Sequence, residues 1–524
     1  MSKYENVNQI DSEGNTAIMR ICKGDCLLRD FDDDTPVTTL KTLIDLGSTL
    51  DVINYTGDTA LTLLASNFPF WPHVQRSVVI MCRLLLQNGV PQQVVNNQGK
   101  TALLLASVSG LDQLVCELLN NGDNINHITP QDGRSILQHV CQVNNGKIAL
   151  TLLDRGADKD HRDYQGRTAL AIAIDNGHEA LAYILIVQYN CNVNVADIGG
   201  LTPLHLAIIR NLERVVDVLL GSDANRLLRC NNGKTPLMVA VSEMKMKLVD
   251  SLLSVNTTEE KRRQIVNQID NDGVTPLIEA VKRKDLGITK MLLKTGDVFI
   301  SHCDYKQGWN ALMWAIDAHY LEEIDLAEQA IVHCLVGAYC TSPVINETSQ
   351  CAAGQTALHF AIGKPIWILN ALLLNAGEFA INLDIPDNDG CTPLMRALIK
   401  GHTSSHHARL LIEHDANLNV ETNWLGYGGY GYMTPLKWVA GSSQTFLTRY
   451  YLDRGALVDY QTRDGETALM YAIRNGVNEE NIRILLDKNP NVNLVNSDGE
   501  TAYNIATEVL DPVFDHRVWD AIKV

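Results

Sequence analysis

Gly200-Leu-Thr202-Pro203-Leu204-His205-Leu206-Ala207-Ile208-Ile209, followed ten residues later by Leu219-Leu220, decides how the rest of the chain is read. Gly200 permits the positive φ that a tight turn needs. Thr202 is placed to accept a backbone N–H as a helix N-cap, and Pro203 suits the first helical turn. The apolar run from Leu204 to Ile209 predicts a short helix. A second helix then ends on the Leu219-Leu220 pair. Related stretches run from such a pair into a glycine, as in Leu118-Leu119-Asn-Asn-Gly122 and Leu152-Leu153-Asp-Arg-Gly156. That glycine fits a left-handed C-terminal cap.

The same phrase recurs along the chain, and a recurrence at fixed period governs the fold. Its capping residues are Thr16, Thr59, Thr101, Ser135, Thr168, Thr202 and Thr235, then Thr275, Asn310, Thr356, Thr392, Thr434, Thr467 and Thr501, which makes 14 copies. From Thr101 to Thr235 the spacings are 34, 33, 34 and 33, and the longest, 46, separates Asn310 from Thr356. The copy at Gly431-Tyr-Met-Thr434 is one residue longer than the others and is read as the same glycine turn.

Thr202-Pro203-Leu204-His205-Leu206-Ala207 with Leu219-Leu220 resembles the ankyrin repeat. So do Thr356-Ala357-Leu358-His359-Phe360-Ala361 and Leu485-Leu486 with Asn491-Val492-Asn493. The likeness runs from about residue 10 to residue 508. It implies an all-α solenoid of stacked helix-turn-helix units joined by turn or β-hairpin-like connections. The expected organisation is one continuous array over 1–524. Repeats start near 11, 54, 96, 130, 163, 197, 230, 270, 304, 351, 387, 429, 462 and 496, with 503–524 as a C-terminal cap. One helix pair cannot bury its own apolar face, so stability would come from stacking on neighbours.

The resemblance implies a non-enzymatic scaffold for protein partners. Turn tips and first-helix ends would line the concave face, which selects Tyr55, Tyr164, Arg167, Trp309, Asp317 and Arg463. Stretches beyond the period, at 22–37, 66–77, 340–354 and 420–433, are expected as loops, where binding residues concentrate. The last contains Trp424, Tyr427, Tyr430 and Tyr432 among four glycines. Large aromatic side chains on an adaptable loop suit recognition, because buried Trp and Tyr dominate interface energetics. Asn126, Asn419 and Asn493 resemble the asparagines hydroxylated in such arrays, and equally resemble ordinary hairpin formers.

Composition narrows the classes. The 524 residues carry a net charge of −18, a poor match for nucleic acid or anionic membrane. No stretch approaches the apolar length of a membrane span, and the N-terminus lacks a secretory run. Twelve scattered cysteines read as reduced thiols of an intracellular protein. Each insertion adds under about 20 residues, too few to fold as a catalytic domain. Gly99-Lys-Thr101 and Gly233-Lys-Thr235 lack the opening glycine of a phosphate loop. His402 and His406 are spaced for one helix face but have no third ligand at defined spacing. The expectation is therefore no enzyme, no cofactor, no metal and a monomer that binds proteins. The rivals are a viral or intracellular-bacterial effector that captures host proteins, and an enzyme whose site is assembled between repeats.

Overall fold

The recurring cap residues open helices as their chemistry requires. Thr168 and Thr235 have extended backbones, and their hydroxyls accept the N–H three residues on. Asn310, the one departure from Thr and Ser, does the same through its side-chain oxygen at 3.0 Å from the Met313 nitrogen. Where histidine is the fourth residue it closes the cap reciprocally: His205 Nδ1 lies 2.8 Å from the Thr202 hydroxyl and accepts the Thr202 N–H. Removing one such cap costs about 1 kcal/mol. The glycines before the caps, Gly200 among them, adopt positive φ, as do Gly122 and Gly156 after the second helices.

A computed structural model describes residues 7–24, 35–67, 72–255, 257–317, 326–339, 343–349, 353–374, 381–401, 405–424, 431–442, 444–476, 479–509 and 516–523. The chain divides into two compact units, Met1–Lys261 and Arg262–Val524.

Among the described residues the first unit holds seven helix pairs. First helices such as Ala169–Asp175 and Pro203–Ile209 pack side by side in one row. Second helices such as Glu179–Val187 and Glu213–Gly221 pack in another. The first helix Ala169–Asp175 is apolar nearly all round: Ala169 through Ile174 are all buried. Each second helix buries one stripe, as with Leu181, Ala182, Leu185 and Ile186, and exposes Tyr183.

The second unit also holds seven pairs, from Pro276–Lys282 with Leu286–Lys294 to Ala502–Val509 with His516–Ile522. It is less uniform. First helices Ala357–Ala361 and Pro435–Ala440 are shorter than the usual seven residues. At the far end Val518 and Ile522 are buried, and Trp519 meets Tyr503 edge-on at 6.2 Å.

Two expectations change. The stretches beyond the period do not all become loops. Pro72–Gln87 is a 16-residue helix that takes up part of the 66–77 insertion, and Leu326–Tyr339 has 14 residues. Val78, Met81, Cys82 and Leu85 recur at helical spacing and are buried, so a longer second helix covers more core than a loop would. Gly431 is not a turn glycine either. It opens strand β2 (Gly431–Met433), which pairs antiparallel with β1 (Thr422–Trp424), and this is the one sheet among the described residues. Residues 425–430 between the strands, the acidic run Asp30–Asp34, and Cys340 and Cys351 lie outside the described residues.

Candidate protein-binding surface

The surface is built from the hairpins that link repeats. In one of them the Asp163 N–H donates to the Arg167 carbonyl at 3.0 Å, closing the turn. The Asp163 carboxylate accepts the N–H groups of Gln165 and Arg167. The next residue, Tyr164, donates its N–H back to the Asp132 carbonyl of the preceding hairpin. The same rung recurs from Tyr55 to Glu13, from Ile198 to Gln165 and from Asn231 to Gly199. In the second unit it runs from Tyr305 to Asp272 and from Ser497 to Asp464. Each tip is thus held by its own turn and by its neighbour.

This geometry explains the tip tyrosines. A Cβ built on Gly133 would meet the Tyr164 ring at 2.4 Å, and one on Gly273 would meet the Tyr305 ring at 2.6 Å. The glycine is needed for its positive φ and because a ring lies over it. Tyr55 and Tyr164 are nonetheless 68% and 63% exposed, so their faces stay available.

The charged candidates are already engaged. Arg167 donates to Asp163 from both Nε and Nη2. The Asp317 carboxylate accepts from Lys364 at 3.1 Å. Arg463 pairs with Glu421 at 3.3 Å and lies 5.3 Å from the Tyr432 ring centre. Of these only Arg463 is largely exposed; a pair of that kind contributes about 0–1 kcal/mol, so a partner can exchange into it at little cost, whereas Arg167 is held by a buried carboxylate. Trp309 is packed inward, edge-on to Trp314 at 5.0 Å and to Phe360 at 4.8 Å, with Lys282 Nζ 4.0 Å from the Trp314 ring centre. It serves an aromatic cluster as well as the surface.

The arm of β1 and β2 is anchored at its root. Trp424 is opposite Gly431 and Asn423 opposite Tyr432. The Thr422 hydroxyl donates to the Met433 carbonyl, and the Tyr432 carbonyl accepts from Lys437. Lys437 stands where His205 stands in its own repeat, fourth from the cap. It is buried and bridges to Thr462, Asp464 and Glu466 of the next hairpin at 3.1, 3.1 and 2.9 Å. His205 makes the equivalent bridge to the Lys234 carbonyl with a neutral ring, its pKa pushed down to about 4 by burial. The structure therefore brings Tyr432 and Arg463 together at the base of the strand that carries Trp424. Tyr427 and Tyr430 lie outside the described residues.

The asparagines singled out as modification acceptors are rungs of a second ladder. Asn126 Oδ1 accepts the Asp158 N–H at 2.9 Å, and Asn419 Oδ1 accepts the Leu457 N–H at 2.9 Å. Asn493 receives no N–H of this kind, and its own N–H donates to Asn491.

Burial shifts several ionisable groups among the described residues. Burial pushes the Cys82 and Cys191 thiols up to about 12, which keeps them protonated. Asp123 stands where Ala157 stands one repeat on. Both of its carboxylate oxygens are buried without a hydrogen-bond partner, and burial pushes its pKa up to about 7. Among the described residues, no three His, Cys, Asp or Glu side chains are grouped to hold a metal ion. No helix there is long and apolar enough to cross a membrane.

Two sets of residues escaped sequence reasoning. His407 and Asn481 are buried polar residues at a helix position held elsewhere by Leu, Ile or Val, as at Leu181, Ile148 and Val215. Phe299, Tyr305 and Glu347 line one open cleft. The first set was detectable as polar breaks in the apolar stripe, whereas the second depends on folded proximity.

Paired helices joined by hairpins that are bonded to one another define a repeat protein. A family model described as ankyrin repeats matches residues 109–197, 184–264, 323–422 and 432–511, together more than half of the chain. The chain belongs to the ankyrin repeat family. It is similar to transient receptor potential cation channel subfamily A member 1 of Homo sapiens, 28% identical over 45% of this chain and 21% of that protein. It is also similar to ankyrin repeat domain-containing protein SAT10 of Stachybotrys chartarum, 25% identical over 71% of this chain and 20% of that protein. The chain thus spans about a fifth of the length of these relatives. The solved ankyrin repeat domain of Bcl-3 aligns with a TM-score of 0.39 at 23% identity, covering 45% of this chain and 99% of that one.

Proposed function

We propose that this chain is an intracellular, non-enzymatic scaffold that captures protein partners, and that the β1–β2 arm is its principal contact. Ankyrin repeats are protein–protein interaction modules, so the class of partner follows from the family. The observation that supports the placement is the root of the arm. The short sheet of Thr422–Trp424 and Gly431–Met433 is held at Tyr432 by Arg463 and through its backbone by Lys437 and Thr422, so Tyr432 meets a partner with little ordering cost. The net charge of −18 favours partners with neutral or basic faces. The tips at Tyr55 and Tyr164 provide secondary contacts, and Asn126, Asn419 and Asn493 are read as structural asparagines.

Crosslinked capture from the native cell tests the placement. The triple variant Trp424→Ala, Tyr427→Ala, Tyr430→Ala is expected to lower recovery of the bound protein by about tenfold or more. Its thermal transition should stay where it is. Full recovery with the triple variant would remove the arm from the interface.

A further inference from the structure

Within the second unit an open cleft of about 760 Å³ lies between the start of one hairpin and residues 346–348. These last belong to the longest interval between caps, from Asn310 to Thr356. Phe299 and Tyr305 form aromatic walls and are 52% and 66% exposed. Both are held by their backbones: the Phe299 N–H donates to Asn267, and the Tyr305 N–H to the Asp272 carbonyl. His302 is fixed by its Nε2 contact with the Gly273 carbonyl at 2.8 Å. The Asn346 side-chain oxygen accepts the Asn382 N–H, which fixes the opposite lip. The cleft is therefore preformed.

Glu347 stands on that lip with neither an ion-pair nor a hydrogen-bond partner among the described residues. Its carboxyl is pushed above the usual carboxylate range by partial burial, with no neighbouring cation to offset it. Glu413, by comparison, pairs with Arg409 at 2.9 Å. The cleft thus joins a carboxylate without a protein partner among the described residues to two aromatic faces.

We propose that this cleft receives an arginine side chain from a basic peptide segment of a partner, with the guanidinium paired to Glu347 and stacked against Phe299 or Tyr305. A planar guanidinium can pair in two-pronged fashion with a carboxylate while its face meets a ring, which an ammonium cannot do. The molecule shows the stacking half of this arrangement internally, with the Arg263 guanidinium carbon 5.3 Å from the Phe299 ring centre. The overall negative charge draws basic segments toward the surface. The site is independent of the β1–β2 arm and does not require that the arm bind anything.

The test is fluorescence anisotropy of the full chain with a labelled heptapeptide of alternating glycine and arginine, beside its lysine counterpart. The arginine peptide should bind more tightly than the lysine peptide. Glu347→Gln should weaken it about tenfold, as expected for a lost charge-assisted pair. Phe299→Ala should weaken it about threefold. Glu243→Gln, an exposed carboxylate in the first unit, removes the same charge and should leave binding unchanged. Both glutamate variants and Phe299→Ala should unfold at the wild-type temperature. Equal weakening by Glu347→Gln and Glu243→Gln would reduce the effect to diffuse attraction and overturn the site. Equal affinity for both peptides, or no binding by the wild type, would overturn it as well.

Discussion

Between Thr101 and Thr235 the chain copies itself to within a residue, and every first helix there has seven residues. Between Thr356 and Thr467 it does not, and two first helices stop at five and six residues. The difference is settled by backbone hydrogen bonding. A helix that ends early in a packed row leaves carbonyls that water cannot reach. In the regular region the third residue of the second helix is apolar, as with Leu181 and Val215, and is buried against its neighbours. After the short helices the same slot holds His407 and Asn481. His407 Nε2 lies 2.8 Å from the Lys364 carbonyl. The Asn481 amide donates to the carbonyls of Ala440 and Ser442 at 3.1 and 2.6 Å. A polar residue in the core of one repeat thus completes the helix of the repeat before it.

Exchanging the two solutions is the most severe way to break this comparison. Leu181→Asn removes a buried leucine and buries an amide with no carbonyl to meet, which should cost about 4 kcal/mol in urea unfolding. Asn481→Leu should cost about 2–3 kcal/mol, although leucine is the more apolar residue, because its carbonyls lose their donor. A stabilised Asn481→Leu protein would show that the amide is not needed there.

Asp123 is the exception inside the regular region, and it sharpens the comparison because nothing receives its carboxylate. Its pKa is near 7 in the folded chain against about 4 in an unfolded one, so folding favours the protonated form. The resulting penalty is absent below about pH 4, grows up to pH 7 and is constant above that. Asp123→Ala should therefore stabilise the protein by about 1–3 kcal/mol at pH 8 and by little at pH 4. Melting temperatures across that range check the sign, and an equal gain at both ends would show that ionisation is not the cause. Asn126→Ala and Asn419→Ala each remove one rung, one in each region, and should cost about 1 kcal/mol apiece. A much larger loss at either position would mark its rung as more than a local link.

The legible parts of this fold were the local ones. Gly-x-Thr reports its own turn and cap because the bonds that close them lie within a few residues, as Thr168 and Asp163 show. The mixed aromatic and charged tips were legible as surface, yet their pairing was not. Arg463 meets Glu421 and Tyr432 across some thirty to forty residues, and no sequence spacing announces that contact. The strand pairing of Thr422–Trp424 with Gly431–Met433 was hidden because Gly431 fits a turn as readily as a strand. The Phe299–Glu347 cleft was hidden because one wall comes from a hairpin and the other from a variable connection.

The rung that joins Tyr164 to Asp132 has an editing consequence. Excising residues 135–167 would join Arg134 directly to Thr168, and the Ile198 N–H would then face the Asp132 carbonyl in place of Gln165. Every donor would find an acceptor of the same kind, and the glycine beneath the incoming tip would still lack a side chain. An excision of any length other than a whole repeat would splice unlike parts together. The hairpin bonds thus require that this chain gain or lose whole modules.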